Sequence, residues 1–403
     1  MRLLMLSPNM PFPPNTGGLV RIYYILKGLS CCFDIDFMAP VDSDVASNNF
    51  YPSIGAMLIP IRVSQSYLSI IQKGLRFVLT ATPLHTCWYA YSEMRKAVSI
   101  QMNLNKYDAI YCHLAHSLEY LPSSMTTPVI LDTQNDDQQY WERKVASTST
   151  LSWRRLLWAW NLRKVKHYEQ SYISRLWAHV AVSEPDRQLV MKRSRSLVPH
   201  YFVARNGVDI NKYVPIDWKQ RSVTAPVTLA FLGSLDLEIN VNAAMLLCKE
   251  IFPRIRMMLP NREMKLLIIG RNPPRILSDY ARKTSDIIVT GTVPDVRPWL
   301  EQADVFVAPL RQGAGTKLRI LEAMACALPV VGTEMALQGL DGQVGVHFLQ
   351  ADDEDLIVQC VCDLIKDFRR RVEIGENARR LIESQYDWFI ITQYLAETIA
   401  SNL

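Results

Sequence analysis

The chain has 403 residues, room for two or three domains of ordinary size, and 49% of them are apolar, enough for substantial cores. Basic and acidic residues nearly balance, 44 against 39, which argues against a nucleic-acid binder, and no apolar run approaches the ~20 residues of a membrane span. The first eight residues are too short for a signal peptide's apolar core and suit a buried first strand, so the eight cysteines are expected to be reduced thiols of a cytoplasmic protein. Cys31-Cys32 and Cys360-x-Cys362 lack a second pair at zinc spacing, and neither a metal nor a cofactor is expected.

Short apolar runs alternate with helical patterns, which argues for an α/β protein with parallel sheets. In the first half strands are expected over 3–6, 35–39, 56–61, 109–112, 129–131, 179–182 and 200–204, with helices between them such as 20–29 and 91–101. The polar, proline-containing stretch 211–225 reads as a linker. A new strand and glycine turn follow over 228–234, then a helix over 241–252 and strands over 265–270, 287–290, 305–309, 330–332 and 347–349. An amphipathic helix, 386–399, comes after that sheet is finished. Two doubly wound domains facing each other across a cleft would take ligands at the carboxyl ends of their strands.

Chemistry concentrates in Gly313-Ala314-Gly315-Thr316-Lys317-Leu318-Arg319-Ile320-Leu321-Glu322-Ala323-Met324-Ala325. The glycines allow close backbone approach to a ligand. A helix starting near Thr316 would aim unsatisfied N–H groups and its dipole at an anion, and Lys317 adds a full charge. Glu322, about one and a half turns on, can accept two hydroxyl hydrogen bonds from a diol. A phosphate cradle followed by a diol acceptor describes a site for a nucleoside diphosphate sugar. It is not a P-loop, since Gly-Lys-Ser/Thr is absent, and no third glycine completes a dinucleotide fingerprint. The competing reading is plain strand–loop–helix packing with solvated Lys317 and Glu322.

With further motifs the chain resembles the family 4 glycosyltransferases, retaining enzymes of GT-B fold. In the first half the resemblance rests on Pro14-Asn15-Thr16-Gly17-Gly18-x-x-Arg21, Val182-Ser183-Glu184-x-Asp186-Arg187 and Arg205-Asn206-Gly207-Val208-Asp209. In the second it rests on Phe231-Leu232-Gly233-Ser234, Ile269-Gly270-Arg271, Thr290-Gly291-x-Val293-x-Asp295, the glycine motif and Leu328-Pro329-Val330-Val331. The terminal Tyr386-Asp387-Trp388 fits too, and implies that the last helix crosses back to the first domain. The implied domains are 1–210 plus 386–403 for the acceptor, a linker 211–225, and 226–385 for the nucleotide sugar.

The resemblance also implies roles. Gly17 and Gly18 would close over donor or acceptor; Asn15, Arg21, Gln134 and Asn135 would lie on the acceptor side. Gly313, Gly315, Thr316, Lys317 and Leu318 would hold the diphosphate, with Arg271 as a second phosphate contact. Val293 would offer backbone atoms to the base, and Glu322 would bind the ribose. His113, at the end of Tyr107-Asp108-Ala109-Ile110-Tyr111-Cys112-His113, falls where the family places a histidine facing the donor sugar, and His116 is a second candidate. Two positions depart from the family pattern. Ala314 replaces the first acid of Glu-x7-Glu, a loss shared by relatives with Gly-x-Gly-Thr-Lys, and Gln134 stands where close relatives often carry His.

The expected reaction moves a sugar to an acceptor hydroxyl with retention. Helix N–H groups, Lys317 and Arg271 would neutralise the leaving phosphate in place of a metal. The alternatives are a nucleotide-sugar epimerase of GT-B fold or a non-catalytic sugar-nucleotide-binding protein. A nicotinamide dehydrogenase lacks its glycine fingerprint after the first strand. Finally, residues 153–166 mix tryptophans, leucines and cations at helical spacing, a pattern suited either to a solvated face or to peripheral contact with an anionic membrane carrying a lipid-linked acceptor.

Overall fold

The computed structural model describes residues 1–41, 54–63, 67–122, 124–221, 225–312 and 317–403. They form two compact units: residues 1–205 together with 391–403, and residues 206–390.

The first unit runs β1 (Arg2–Leu6), α1 (Gly17–Leu29), β2 (Asp34–Val41), β3 (Met57–Arg62), α2 (Tyr67–Leu79), α3 (Leu84–Trp88), α4 (Ser92–Leu104), β4 (Ala109–His113), β5 (Val129–Asp132), α5 (Asp137–Ser147), α6 (Trp153–Ile173), β6 (Ala178–Ala181), α7 (Glu184–Arg193) and β7 (His200–Val203). Its seven strands pair in parallel in the order β3-β2-β1-β4-β5-β6-β7. All seven expected strands are present. The central ones, β1, β4 and β5, are almost wholly buried, because helices cover both faces of a parallel sheet. Asp136, Ser152 and Ser183 cap α5, α6 and α7 by accepting a backbone N–H of the first turn.

The second unit continues with β8 (Val227–Leu232), α8 (Glu238–Leu246), α9 (Phe252–Met258), β9 (Met264–Ile269), α10 (Arg275–Arg282), β10 (Ile287–Val289), α11 (Arg297–Leu300), β11 (Val305–Ala308), α12 (Leu318–Ala325), β12 (Val330–Gly332), α13 (Glu334–Leu337), β13 (Leu349–Gln350), α14 (Glu354–Lys366) and α15 (Phe368–Gln385). Its strand order is β10-β9-β8-β11-β12-β13, again parallel. The single helix expected over 241–252 is divided by a π turn, Leu247–Ile251, and α9 resumes with Pro253 in its first turn. Proline has no N–H to continue the α-helical ladder. Of the stretch 211–225, expected as a linker, residues 222–224 lie outside the described residues, and 211–221 pack on this unit: Tyr213 and Trp218 are buried, and the Ile216 N–H donates to the Cys326 carbonyl at 2.9 Å.

The final helix, α16 (Trp388–Asn402), begins in the second unit and ends in the first. A methyl group at Gly28 of α1 would overlap the side chain of Thr392, so these two helices touch closely.

Candidate functional site

Strand order reverses between β8 and β11 in the second sheet, and the crevice outside the carboxyl ends at such a switch is where open α/β sheets take ligands. The expected donor residues follow those ends: Gly233-Ser234 after β8, Gly270-Arg271 after β9, Val293 after β10, and Lys317 at the start of the helix after β11. A side chain at Gly270 would overlap the Gly233 carbonyl, so the two strand ends approach as only glycine permits. Arg271 is partly exposed. Its Nε donates to Ser234 Oγ at 2.9 Å, and its Nη2 lies 3.4 Å from the Asp236 carboxylate. Val293 packs its side chain against the core of the unit.

Gly313, Ala314, Gly315 and Thr316 lie outside the described residues. Beyond them the helix begins at Leu318, two residues later than expected, and Lys317 stands at its N-cap with an extended backbone rather than in the first turn. Glu322 is buried, and Nη1 of Arg319 lies 2.8 Å from each of its carboxylate oxygens. The Glu322 charge and its hydrogen bond push the Arg319 guanidinium further up, while burial and Glu322 push up the phenol of neighbouring Tyr213. A carboxylate offers about four lone-pair directions, so Glu322 keeps acceptor capacity for a diol with Arg319 in place. Arg319 was not among the expected contacts. Its signal was present in the sequence as a cation three residues before an acid on one helix face. A cavity of about 580 Å³, also not anticipated, opens beyond the ends of β11, β12 and β13, with Arg311, Thr333, Glu334, Phe348 and Asp352 in its lining.

In the first sheet the order reverses between β1 and β4. The loop after β1 carries Asn15, Gly17 and Gly18, and β4 ends in His113. Gln134, just past β5, donates from Nε2 to the Gly18 carbonyl at 3.1 Å. A Cβ at Gly18 would sit 2.7 Å from Gln134 Oε1, so the structure brings these two expected residues together. Asn15, Gly17 and Asn135 are exposed. Arg21, expected on the acceptor side, is buried. One turn into α1 it faces the sheet, with Nη2 2.6 Å from Asp132 and Nη1 donating to the Ala204 carbonyl at 2.7 Å.

His113 is fully buried. Its Nδ1 lies 3.1 Å from Asp132 Oδ2, out of line for a hydrogen bond, and its Nε2 has no partner among the described residues. Burial pushes the Asp132 carboxyl up, but Arg21 and His113 outweigh it and hold it well below the usual range. Leu114, the next residue, has φ of 64°, a costly conformation for a branched side chain. His116 stacks on Tyr89 at 5.3 Å and sets its Nδ1 3.4 Å from Thr86 Oγ1. Burial, then neighbouring His85, lower its pKa to about 4, so it is neutral at pH 7. Among the described residues no group of three His, Cys, Asp or Glu side chains is placed to hold a metal ion, and no helix is long and apolar enough to cross a membrane.

Residues 226–367 match the family model "Glycosyl transferases group 1". Over nearly its whole length the chain is 21% identical to an uncharacterized 44.6 kDa protein in the cps region of Klebsiella pneumoniae, covering 96% of each. It is 28% identical to the phosphatidyl-myo-inositol mannosyltransferase of Mycobacterium tuberculosis over 49% of this chain and 54% of that one, so the match spans about half of that enzyme. Among solved structures, Anabaena Alr3699/HepE in complex with UDP and glucose superposes with a TM-score of 0.62 at 16% identity, covering all of both chains. These findings support a glycosyltransferase: the second unit carries the group 1 glycosyl transferase match, and the chain has the two-domain α/β fold of the GT-B glycosyltransferases.

Proposed function

We propose that the chain transfers a sugar, with retention, from a nucleoside diphosphate sugar to an acceptor hydroxyl, without a metal. The observation that carries this reading is the coincidence, at the β8/β11 switch point, of the group 1 match with Arg271, Lys317 and the Arg319-held Glu322. Two cations at strand and helix ends suit a diphosphate whose charge grows as it leaves. A buried carboxylate with lone pairs to spare suits a ribose diol. The complex of Alr3699/HepE with UDP and glucose lends support, since that protein shares the fold.

In the first unit, the reading gives His113 Nε2 to the donor sugar. A buried ring nitrogen without a partner is costly, and a sugar hydroxyl would satisfy it once the groups that now cover the fully buried ring move aside. Gln134, Asn135 and Asn15 stand on the acceptor side, and Arg21 acts by fixing Asp132 beside His113. With no carboxylate among the described residues assigned as a nucleophile, front-side attack by the acceptor hydroxyl is the working mechanism. The donor is used in the cytoplasm, and the acceptor includes lipid-linked hydroxyls at the inner face of a membrane.

Incubation with a panel of nucleotide sugars, scored for hydrolysis and transfer, tests the reading. One donor should be turned over, equally well after exhaustive chelation, and His113→Ala should lose at least ~10² of the rate, the scale of a positioned acid–base group. Turnover of no donor, an absolute need for added Mn or Mg, or an unimpaired His113→Ala variant would each remove the corresponding part.

A further inference from the structure

Helix α2 turns its apolar side outward. Tyr67, Leu68, Ile71, Leu75, Val78 and Leu79 are all exposed, Tyr67 and Leu79 by more than three quarters, and Phe77 is its one buried side chain. Thirteen residues make a helix of roughly 20 Å, so this is a long apolar strip rather than scattered surface leucines. The strip continues on α6. Phe77 packs on Trp160 with ring centroids 4.7 Å apart, and the Lys164 ammonium, which donates to the Phe77 and Thr80 carbonyls, pins the end of α2 to the middle of α6. From that junction α6 exposes Trp160, Leu156 and Trp153 at successive turns.

Cations predominate around the strip, although two of them are paired, Arg76 of α2 with Glu119 and Lys166 of α6 with Glu142. Residues 67–91 carry two Lys or Arg and no acid, and residues 143–168 carry seven and no acid. Arg154 and Arg163 are exposed on α6, and Lys73 of α2 lies over the Tyr91 ring at 4.3 Å. A water-soluble face would interleave carboxylates with most of these cations. A self-complementary dimer would set the same cations against each other, since a twofold interface pairs a patch with itself. An apolar strip with tryptophans and a mainly cationic border, Arg154 and Arg163 among its exposed cations, fits a bilayer instead. Its side chains would enter to acyl depth, tryptophans would sit at headgroup level, and cations would meet lipid phosphates.

We infer that α2 and the first half of α6 form one docking surface for an anionic membrane. The inference stands apart from the transfer reading, because vesicle binding needs neither donor nor acceptor. The test is sedimentation of the full chain with vesicles of phosphatidylcholine alone or with phosphatidylglycerol added, at low and moderate salt. Expected is binding that requires phosphatidylglycerol and weakens with salt. The Leu68→Ser/Ile71→Ser/Leu75→Ser variant and the Arg154→Glu/Arg155→Glu variant should each lower partitioning by about tenfold or more. Met257→Ser, an exposed apolar change in the second unit, should leave it unaltered. Circular dichroism and nucleoside diphosphate binding, unchanged in all three variants, would show that the fold is intact. Equal binding to both lipids, binding to neither, or an α2 variant that binds like the parent would overturn the inference. So would a parent dimer that the α2 variant dissolves while vesicles are ignored, because the strip's occupant would then be a second copy.

Discussion

The two units carry the same doubly wound plan but place polar chemistry differently at the ends of their strands. In the second, the cations at the β8/β11 switch sit at the surface or at its edge: Arg271 is partly exposed, Lys317 caps a helix, and Arg319 reaches buried Glu322 from the same helix. In the first, the corresponding groups are sunk into the sheet, where Arg21, Asp132 and His113 form a buried cluster and His116 and His179 are neutralised by burial. Six of the seven histidines belong to the first unit. A leaving diphosphate needs accessible fixed cations, which any strand end can present. A fixed imidazole and a shaped loop need internal support, and the support is the buried network. The stability of that unit should therefore depend strongly on its ionisable groups.

The largest separation of the two should come from Arg21→Ala. Removing one partner of a buried ion pair leaves the other charge uncompensated and costs about 3–5 kcal/mol. Calorimetric unfolding should show the first unit melting earlier, with the second unit's transition retained. A single unshifted transition would mean that the Arg21–Asp132 pair contributes little.

Acid should separate them next. His116 and His179 have folded-state pKa values lowered to about 4, chiefly by burial, against 6.5 in an unfolded chain. Below pH 6.5 the unfolded state binds more protons, so the stability these neutral imidazoles carry is complete above 6.5 and is lost as pH falls toward 4. The loss is on the order of 2–3 kcal/mol each. Asp132 and Asp137, both lowered, add a further loss only below the ordinary carboxylate range. Glu169, raised by burial, works in the opposite sense. Melting the parent and a His116→Gln/His179→Gln variant between pH 7 and 4 checks this. The variant's first unit should hold its stability over that window, and a parallel decline in both proteins would refute the assignment.

The smallest of these effects concerns the last helix. Gly28→Ala pushes a methyl into Thr392, and overpacking of this kind costs roughly 1–3 kcal/mol. Limited proteolysis should then release the end of α16 sooner, with the second unit resistant. Unchanged cleavage would show that α16 owes its place to contacts other than this one.

Much of this comparison was legible in the sequence, and the exceptions have physical causes. The strands were visible because a parallel sheet buried on both faces reads as unbroken apolar runs, as in Leu3-Leu4-Met5-Leu6 and Val305-Phe306-Val307-Ala308. The positions of Arg271, Lys317 and Glu322 followed from glycines that end strands or open helices. The burial of Arg21 was not legible because a motif gives sequence distance and not the face of α1 on which a side chain falls. Its partner, Asp132, is more than a hundred residues away. The stretch 211–225 reads as a linker because it is polar and proline-containing, and what the sequence did not show is that Ile216 and Trp218 anchor residues 211–221 to the second unit. The apolar strip of α2 was hidden for the opposite reason, since an amphipathic helix with its apolar side in water has the same pattern as one packed inward.

The central claim is that the second unit binds a nucleoside diphosphate through Lys317 and Glu322. Isothermal titration of UDP and GDP into the parent, Lys317→Ala and Glu322→Ala proteins tests it most directly. Loss of a charge-assisted hydrogen bond is worth about 1.5–3 kcal/mol. The parent should therefore bind at least one of the two nucleotides, Lys317→Ala should bind it about ten- to a hundredfold more weakly, and Glu322→Ala should lose affinity for the ribose-bearing ligand while keeping its fold. Two variants that bind as tightly as the parent would contradict the account and put the site elsewhere.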